Sequence, residues 1–352
     1  MGREHPVSMD TEHFGLTGRP FQLTPDPGFW YESATHRKAM AYLGYGLALG
    51  EGFIVITGEI GAGKTTLLAH LLDTLDPSRV EAIQLASTLI RGDDVLKLVA
   101  HAMGEDCTTV DRARVLTVIE EQLAARARAG KRILIVVDEV QNMTVGALEE
   151  LRMVSNFSTG SQPVVQFLLL GQPEFKDTIA SAPLEQLKQR VIATHHLGAM
   201  EEDEVLPYIE HRLRHVGWAG RPQIDAGAIT RLFAESAGIP RRVNQLMTRA
   251  LLMAALEESD IVSDGLIEAV VADLNREEAA GRRISEAPAP QPAIGCGPTL
   301  ITDDVALDMA ARITMLEAQV AEQEASLRRV LGLLIDWVEG ENAARRVSVS
   351  AH

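Results

Sequence analysis

Two short stretches stand out for the chemistry open to their side chains, one rich in glycine with a lysine and a threonine, the other ending in two acids. The first is Gly58–Thr65, GEIGAGKT, an instance of the pattern G-x-x-x-x-G-K-[ST]. Glycines in such a loop let successive backbone N–H groups point into one concavity that fits an anion. Lys64 is then the expected partner of the β- and γ-phosphates, and the Thr65 hydroxyl that of Mg2+. The predicted cradle is Gly58, Glu59, Ile60, Gly61, Ala62, Gly63, Lys64, Thr65 and Thr66. A plain Gly-rich turn is the alternative, since the pattern also occurs by chance. Context favours the phosphate loop. Phe53-Ile54-Val55-Ile56 ahead of it reads as a buried strand, and Thr66 to Leu72 after it as a helix whose N-terminus faces the same anion.

The second stretch is Ile133-Leu134-Ile135-Val136-Val137-Asp138-Glu139. Five apolar residues in a row suit a strand covered on both faces. Its C-terminal end is where open α/β sheets bind ligands. Asp138 is predicted to orient Mg2+, and Glu139 to polarise the water that attacks the γ-phosphate. Two solvated acids at a surface strand end would be the plainer reading.

These residues need a sheet to hold them. Strand candidates fall at 53–57, 80–86, 132–137 and 164–170, alternating with helical stretches near 65–75, 92–103, 111–129 and 145–156. That alternation argues a parallel sheet flanked by helices, an α/β core. Residues 1–50 form a Pro- and Gly-punctuated lead-in that includes a helix over 35–49, and the core spans 51–200. From 201 to 280 the patterns at 201–216, 225–237, 240–257 and 263–274 predict a small all-α lid. Ser87 to Gly92, after the second strand, should lie near the site.

Residues 281–300 contain four prolines and read as a linker. Over 301–345, Met309, Ile313, Leu316, Val320, Gln323, Leu327, Val330, Leu334 and Trp337 recur at steps of four and three. That spacing predicts a C-terminal coiled-coil helix, with an amphipathic helix docked on the body as the alternative.

The 352 residues leave room for two domains and a tail, and no apolar run approaches the roughly 18 residues of a membrane span. The two cysteines stand far apart and without metal-ligand spacing, which suits a reducing compartment. With no apolar signal core near the start, the expectation is a cytoplasmic protein. A net charge of −16 argues against nucleic acid as a partner unless a basic face is set apart from it. One local cluster exists, His211, Arg212, Arg214, His215 and Arg221, and a solvated helix face is its plainer reading.

Several blocks together resemble the ExeA/GspA-type AAA+ ATPases of bacterial secretion and pilus loci, over about residues 10–280. They are Phe14-Gly15-Leu16, the run from Pro20 to Pro27, GEGFIVITGEIGAGKTTLL, VVDEVQNM, LEELRMVSNF, LLLGQPEF, LEQLKQRV and GIPRRVNQL. Some of them look most similar to the secretion ATPase of the exosortase (XrtA/PEP-CTERM) locus, linked to protein sorting and exopolysaccharide export. The resemblance implies an AAA+ core, ATP and Mg2+ as cofactors, ATP hydrolysis, and a homo-oligomer. It also implies a place peripheral to inner-membrane export machinery. By position it makes Gln172 the first sensor, Arg190 an arginine finger acting on a neighbouring subunit, and Arg241 the second sensor, with Arg242 the adjacent alternative. Phe29, Tyr31 and His36 would line an adenine pocket or belong to the core. The chain departs from the wider pattern in showing no transmembrane helix and no peptidoglycan-binding domain.

Two other functions compete. Transposition regulators of the TniB and TnsC kind share much of this core, which would make the chain a DNA-associated ATP switch. An adaptor that binds ATP and hardly turns it over is the third reading, disfavoured by the intact Lys64, Asp138 and Glu139.

Overall fold

The computed structural model describes residues 9–22, 27–85, 92–159 and 162–285. Residues Ser87 to Arg91, the heptad segment and most of the predicted linker lie outside them. The described residues fall in one compact unit.

In chain order the elements begin with α1 (Met9–Phe14), α2 (Ala34–Leu49), β1 (Phe53–Gly58), α3 (Lys64–Thr74), β2 (Val80–Leu85), α4 (Gly92–Ala102), α5 (Arg112–Arg128), β3 (Arg132–Val137) and α6 (Val145–Val154). A two-residue hairpin, β4 (Ser158–Thr159) with β5 (Gln162–Pro163), precedes β6 (Val165–Gly171), α7 (Phe175–Ala180), α8 (Glu185–Lys188) and β7 (Val191–Leu197). The remainder is helical: α9 (Glu202–His215), α10 (Ala226–Ser236), α11 (Pro240–Leu256) and α12 (Asp264–Ser285). The short strands β8 (Gln223–Ile224) and β9 (Ile261–Val262) join it at one side.

The five long strands form one parallel sheet in the order β2-β3-β6-β1-β7. Its apolar strands are covered on both faces, and period-two alternation sends odd and even residues into different cores. Phe53, Val55, Ile133, Ile135, Phe167 and Leu169 face α4, α5 and α6. Ile54, Ile56, Leu134, Val136, Leu168 and Leu170 face α2 and α3 through Leu43, Leu67 and Leu71. Each fully buried leucine among these contributes roughly 1.5–3 kcal/mol. The register fixes the site, because Gly58 pairs with Leu197 and Val137 with Leu169. The C-terminal ends of β1, β3 and β6 therefore open side by side.

Three differences from the sequence reading have physical causes. The sheet has a fifth long strand, β7, which the reading passed over. Thr194, His195 and His196 interrupt its apolar run, as suits an edge strand with one partly exposed face. Helix α12 continues to Ser285, into the stretch assigned to the linker, since no proline comes before Pro288. The two halves of the lead-in join different cores. Phe14, Leu16, Phe21 and Phe29 pack with the apolar faces of α9 to α12, whereas α2 lies on the sheet against β1 and β7.

Candidate functional site

The loop after β1 closes by two glycines at positive φ, Gly61 at 86° and Gly63 at 98°. A side chain is excluded at both on contact grounds as well. A Cβ on Gly61 would stand 2.4 Å from Cβ of Arg241, and one on Gly63 2.7 Å from Nε2 of His36. The backbone here is thus cradled between the lid helix α11 and the N-terminal turn of α2. Helix α3 starts at Lys64, directly after the loop, so its unpaired N–H groups face the loop's concavity. Such a cradle fits the phosphates of a nucleotide.

Lys64 is buried, and its Nζ donates to the carbonyls of Gly58 at 2.7 Å and Glu59 at 3.0 Å. Burial pulls its ammonium below the ordinary lysine range. The carboxylates of Glu139, Asp138, Glu59 and Glu174 act in the opposite direction. Thr65 Oγ1 donates to Asp138 Oδ2 at 3.2 Å, which places a hydroxyl and a carboxylate side by side at the ends of two different elements. That pair of hard oxygens suits Mg2+.

Asp138 turns back on the chain, its Oδ1 accepting from the Glu139 backbone N–H at 2.9 Å. Glu139 takes a left-handed conformation, φ 52° and ψ 42°, and opens a 3-10 turn over Val140–Asn142. Two amides converge on its Oε2, from Gln141 Nε2 and from Gln172 Nε2, the latter at 3.4 Å. Gln141 was not singled out from the sequence. Its place three residues after Asp138, in VVDEVQNM, was the available signal, but only the turn brings it back over β6.

A cavity of ≈ 210 Å³ extends from this polar end. Lys64, Thr65, Thr66 and Glu139 line one part of it, and Phe29, Trp30, Tyr31 and His36 another. The lead-in aromatics thus meet the cavity and the core together. Trp30 stacks flat on His70 at 4.2 Å and meets His36 edge-on. The His36 Nδ1 pairs with Ser33 Oγ at 2.7 Å. Burial depresses the imidazole to about 4, partly offset by Glu204, so it is neutral near pH 7.

The lid contributes Pro240, Arg241 and Asn244 to the same cavity. Arg241 is exposed, and its backbone N–H donates to the Gly61 carbonyl at 3.2 Å. The cavity thus brings together the loop, Glu139 and Arg241, while Asp138 and Gln172 stand just behind its lining, hydrogen-bonded to Thr65 and Glu139. Arg190 is not among them. It precedes β7 at the opposite end of the sheet, where its carbonyl accepts from Phe53 N–H at 2.9 Å. Across seven residues of strand that is about 20 Å from the loop.

The basic cluster read from the sequence is mostly engaged. Arg212 is buried, donating to the carbonyls of Pro20 at 2.6 Å and Gln22 at 3.3 Å and lying 4.6 Å over the Phe29 ring. Arg214 pairs with Glu210 and Arg221 with Asp260. The cluster therefore fastens the lead-in to the lid more than it forms a free cationic face.

A family model described as an AAA domain matches residues 48–179. General secretion pathway protein A of Aeromonas hydrophila is 34% identical over 258 residues, covering 73% of this chain and 47% of that protein. The chain thus spans about half the length of that relative. In fold it is similar to the Aeropyrum pernix ORC2 protein in its ADP form, with a TM-score of 0.52, 18% identity and 72% of each chain covered. It is also similar to Drosophila ORC bound to DNA, with a TM-score of 0.55, 13% identity, and 78% and 68% covered. At those identities the two solved structures speak to the fold alone. With the family match, the aligned relative and the shared architecture in agreement, the chain belongs to the AAA ATPases of the ExeA/GspA type.

Proposed function

We propose that the chain binds ATP with Mg2+ and hydrolyses it, as an assembly or regulatory motor for bacterial envelope export. The observation that carries this reading is the convergence on one cavity of Lys64, Thr65 and Glu139, with Asp138 bonded to the Thr65 hydroxyl and two amides holding Glu139. Thr65 and Asp138 would hold Mg2+, whose chemistry would be to offset negative charge on the phosphates. The loop N–H groups and Lys64 hold the phosphate oxygens. Glu139 takes a proton from the attacking water, and the Gln172 amide orients that water. Arg241 links the nucleotide to the lid, so that turnover moves α9 to α12 against the sheet.

Arg190 cannot serve the site of its own chain. A finger that stabilises the transferring phosphoryl group must then come from a second copy, which makes the active species a homo-oligomer. The export context is supported by the secretion relative. The narrower exosortase and exopolysaccharide context is supported by the blocks EGFIVITGEIGAGKTTL and FLLLGQPEF. A cytoplasmic position peripheral to the inner membrane accords with the described helices, none of which is long and apolar enough to cross a bilayer. The DNA-switch reading is weakened by the engagement of the basic cluster, with Arg212 buried and Arg214 and Arg221 paired with carboxylates.

The test is ATPase rate per subunit against protein concentration. The rate should climb steeply, fall in Arg190→Ala by about 10³-fold or more, and return on mixing Arg190→Ala with Lys64→Ala. A rate unaffected by Arg190→Ala removes the finger in trans. Unchanged binding of a fluorescent ATP analogue by Lys64→Ala removes the phosphate-loop assignment.

A further inference from the structure

We propose that Gln141 is a positioning residue, which ties the Glu139 carboxylate to the loop after β6 so that Glu139 and Gln172 act as one unit. The inference rests on the reading of Glu139 as the group that activates water. Its own basis is the bonding of a single amide. Gln141 Nε2 donates to Glu139 Oε2, and Gln141 Oε1 accepts the backbone N–H of Gln172 at 3.1 Å. The orientation of this amide is determined by its partners, because an ionised carboxylate only accepts and a backbone N–H only donates. The Gln172 side chain closes the ring by donating to the same Glu139 oxygen at 3.4 Å.

The backbone is shaped to make this possible. Glu139 holds a left-handed conformation, φ 52°, which is strained for a residue other than glycine. The turn it opens buries Val140 completely and carries Gln141 back over the end of β6. Gly171 leaves the space. A Cβ there would stand 2.8 Å from Val140 Cγ1 and 3.2 Å from Gln141 Oε1. Strain, a missing side chain and a doubly bonded amide thus serve one juxtaposition, between the end of β3 and the end of β6. A carboxylate whose bearing is set by the loop after β6 will shift when that loop shifts. A group misplaced by about 1 Å can lose 10²-fold in rate.

The experiment uses the full chain, at a concentration where wild-type turnover per subunit no longer rises. Gln141→Ala should lower kcat by at least about tenfold while KM and the affinity for a fluorescent ATP analogue stay within about twofold. Gln141→Glu, of the same length but without the donor, should behave like the alanine variant. Gln141→His keeps one donor and one acceptor and should recover most of kcat. Hydrogen exchange at the Gln172 amide should quicken in the alanine variant and recover in the histidine variant. A kcat for Gln141→Ala within twofold of wild type overturns the proposal alone. Parallel losses of binding, turnover and melting temperature in all three variants also overturn it, in favour of a merely structural role. A wild type that binds the analogue and never turns ATP over overturns the reading of Glu139, and the proposal with it.

Discussion

The Glu204 carboxylate of α9 accepts the backbone N–H of Ala34, at the start of α2, across 2.7 Å and 170 residues of sequence. Its other oxygen accepts from the Glu201 N–H at 3.1 Å and so closes the capping box of its own helix. One side chain thus caps the first helix of the lid and holds the first turn of the helix that backs the phosphate loop. Two residues into that turn, His36 faces Gly63. Glu204→Ala should lower stability by about 1–2 kcal/mol, since two donors lose a charged acceptor. Urea unfolding measures this. Glu204→Gln, which keeps a carbonyl oxygen, should lose less than half as much.

The hydroxyl–carboxylate pair predicts how the metal enters. Thr65→Ala or Asp138→Asn should leave binding of a fluorescent ADP analogue in EDTA nearly unchanged. The gain on adding Mg2+ should shrink by about tenfold, an energy of about 1.4 kcal/mol. An undiminished Mg2+ effect in both variants would remove Mg2+ from this pair.

Gly61 is the point where the loop touches the lid. Gly61→Ala combines a positive φ, about 1–2 kcal/mol for an alanine, with a contact against the Arg241 side chain. Unfolding free energy should fall by at least that amount, and affinity for the ATP analogue should fall with it. Adding Arg241→Gly should recover part of the stability, because the contact goes and the strain remains. No recovery in the double variant would mean that strain alone sets the effect.

His36 predicts a pH dependence with a definite sign. Its imidazole is depressed from the ordinary 6.5 to about 4 by burial. Between those values the unfolded chain binds the proton and the folded chain does not. This contribution is therefore complete above pH 6.5 and is lost as pH falls towards 4, at up to about 1.4 kcal/mol per pH unit. Unfolding free energy measured from pH 7.5 to 4.5 should fall less steeply in His36→Gln than in the wild type. Equal slopes would show that His36 is not buried in its neutral form.

The sequence by itself determined the phosphate loop, the acidic pair at the end of β3 and four of the five long strands. Each of those signals is local. The glycine spacing of GEIGAGKT dictates a turn, and an unbroken apolar run such as Ile133 to Val137 can only be satisfied between two layers. Edge strand β7 was not legible, because Thr194 and His196 sit on an exposed face where apolar periodicity is not demanded, and His195 interrupts the other face. Nor could spacing along the chain show that Phe21 and Phe29 serve the lid, since their partners lie some 180 or more residues away and are held through Arg212. Only the tertiary structure set Gln141 against Gln172, Glu204 against Ala34, and Arg190 at the far end of the sheet from Lys64. For Gln141 and Arg190, strand register and a turn determine which groups meet, and for Glu204 the packing of α9 beside the start of α2 does. Those are properties of the packed molecule, and they leave no periodic mark on the sequence.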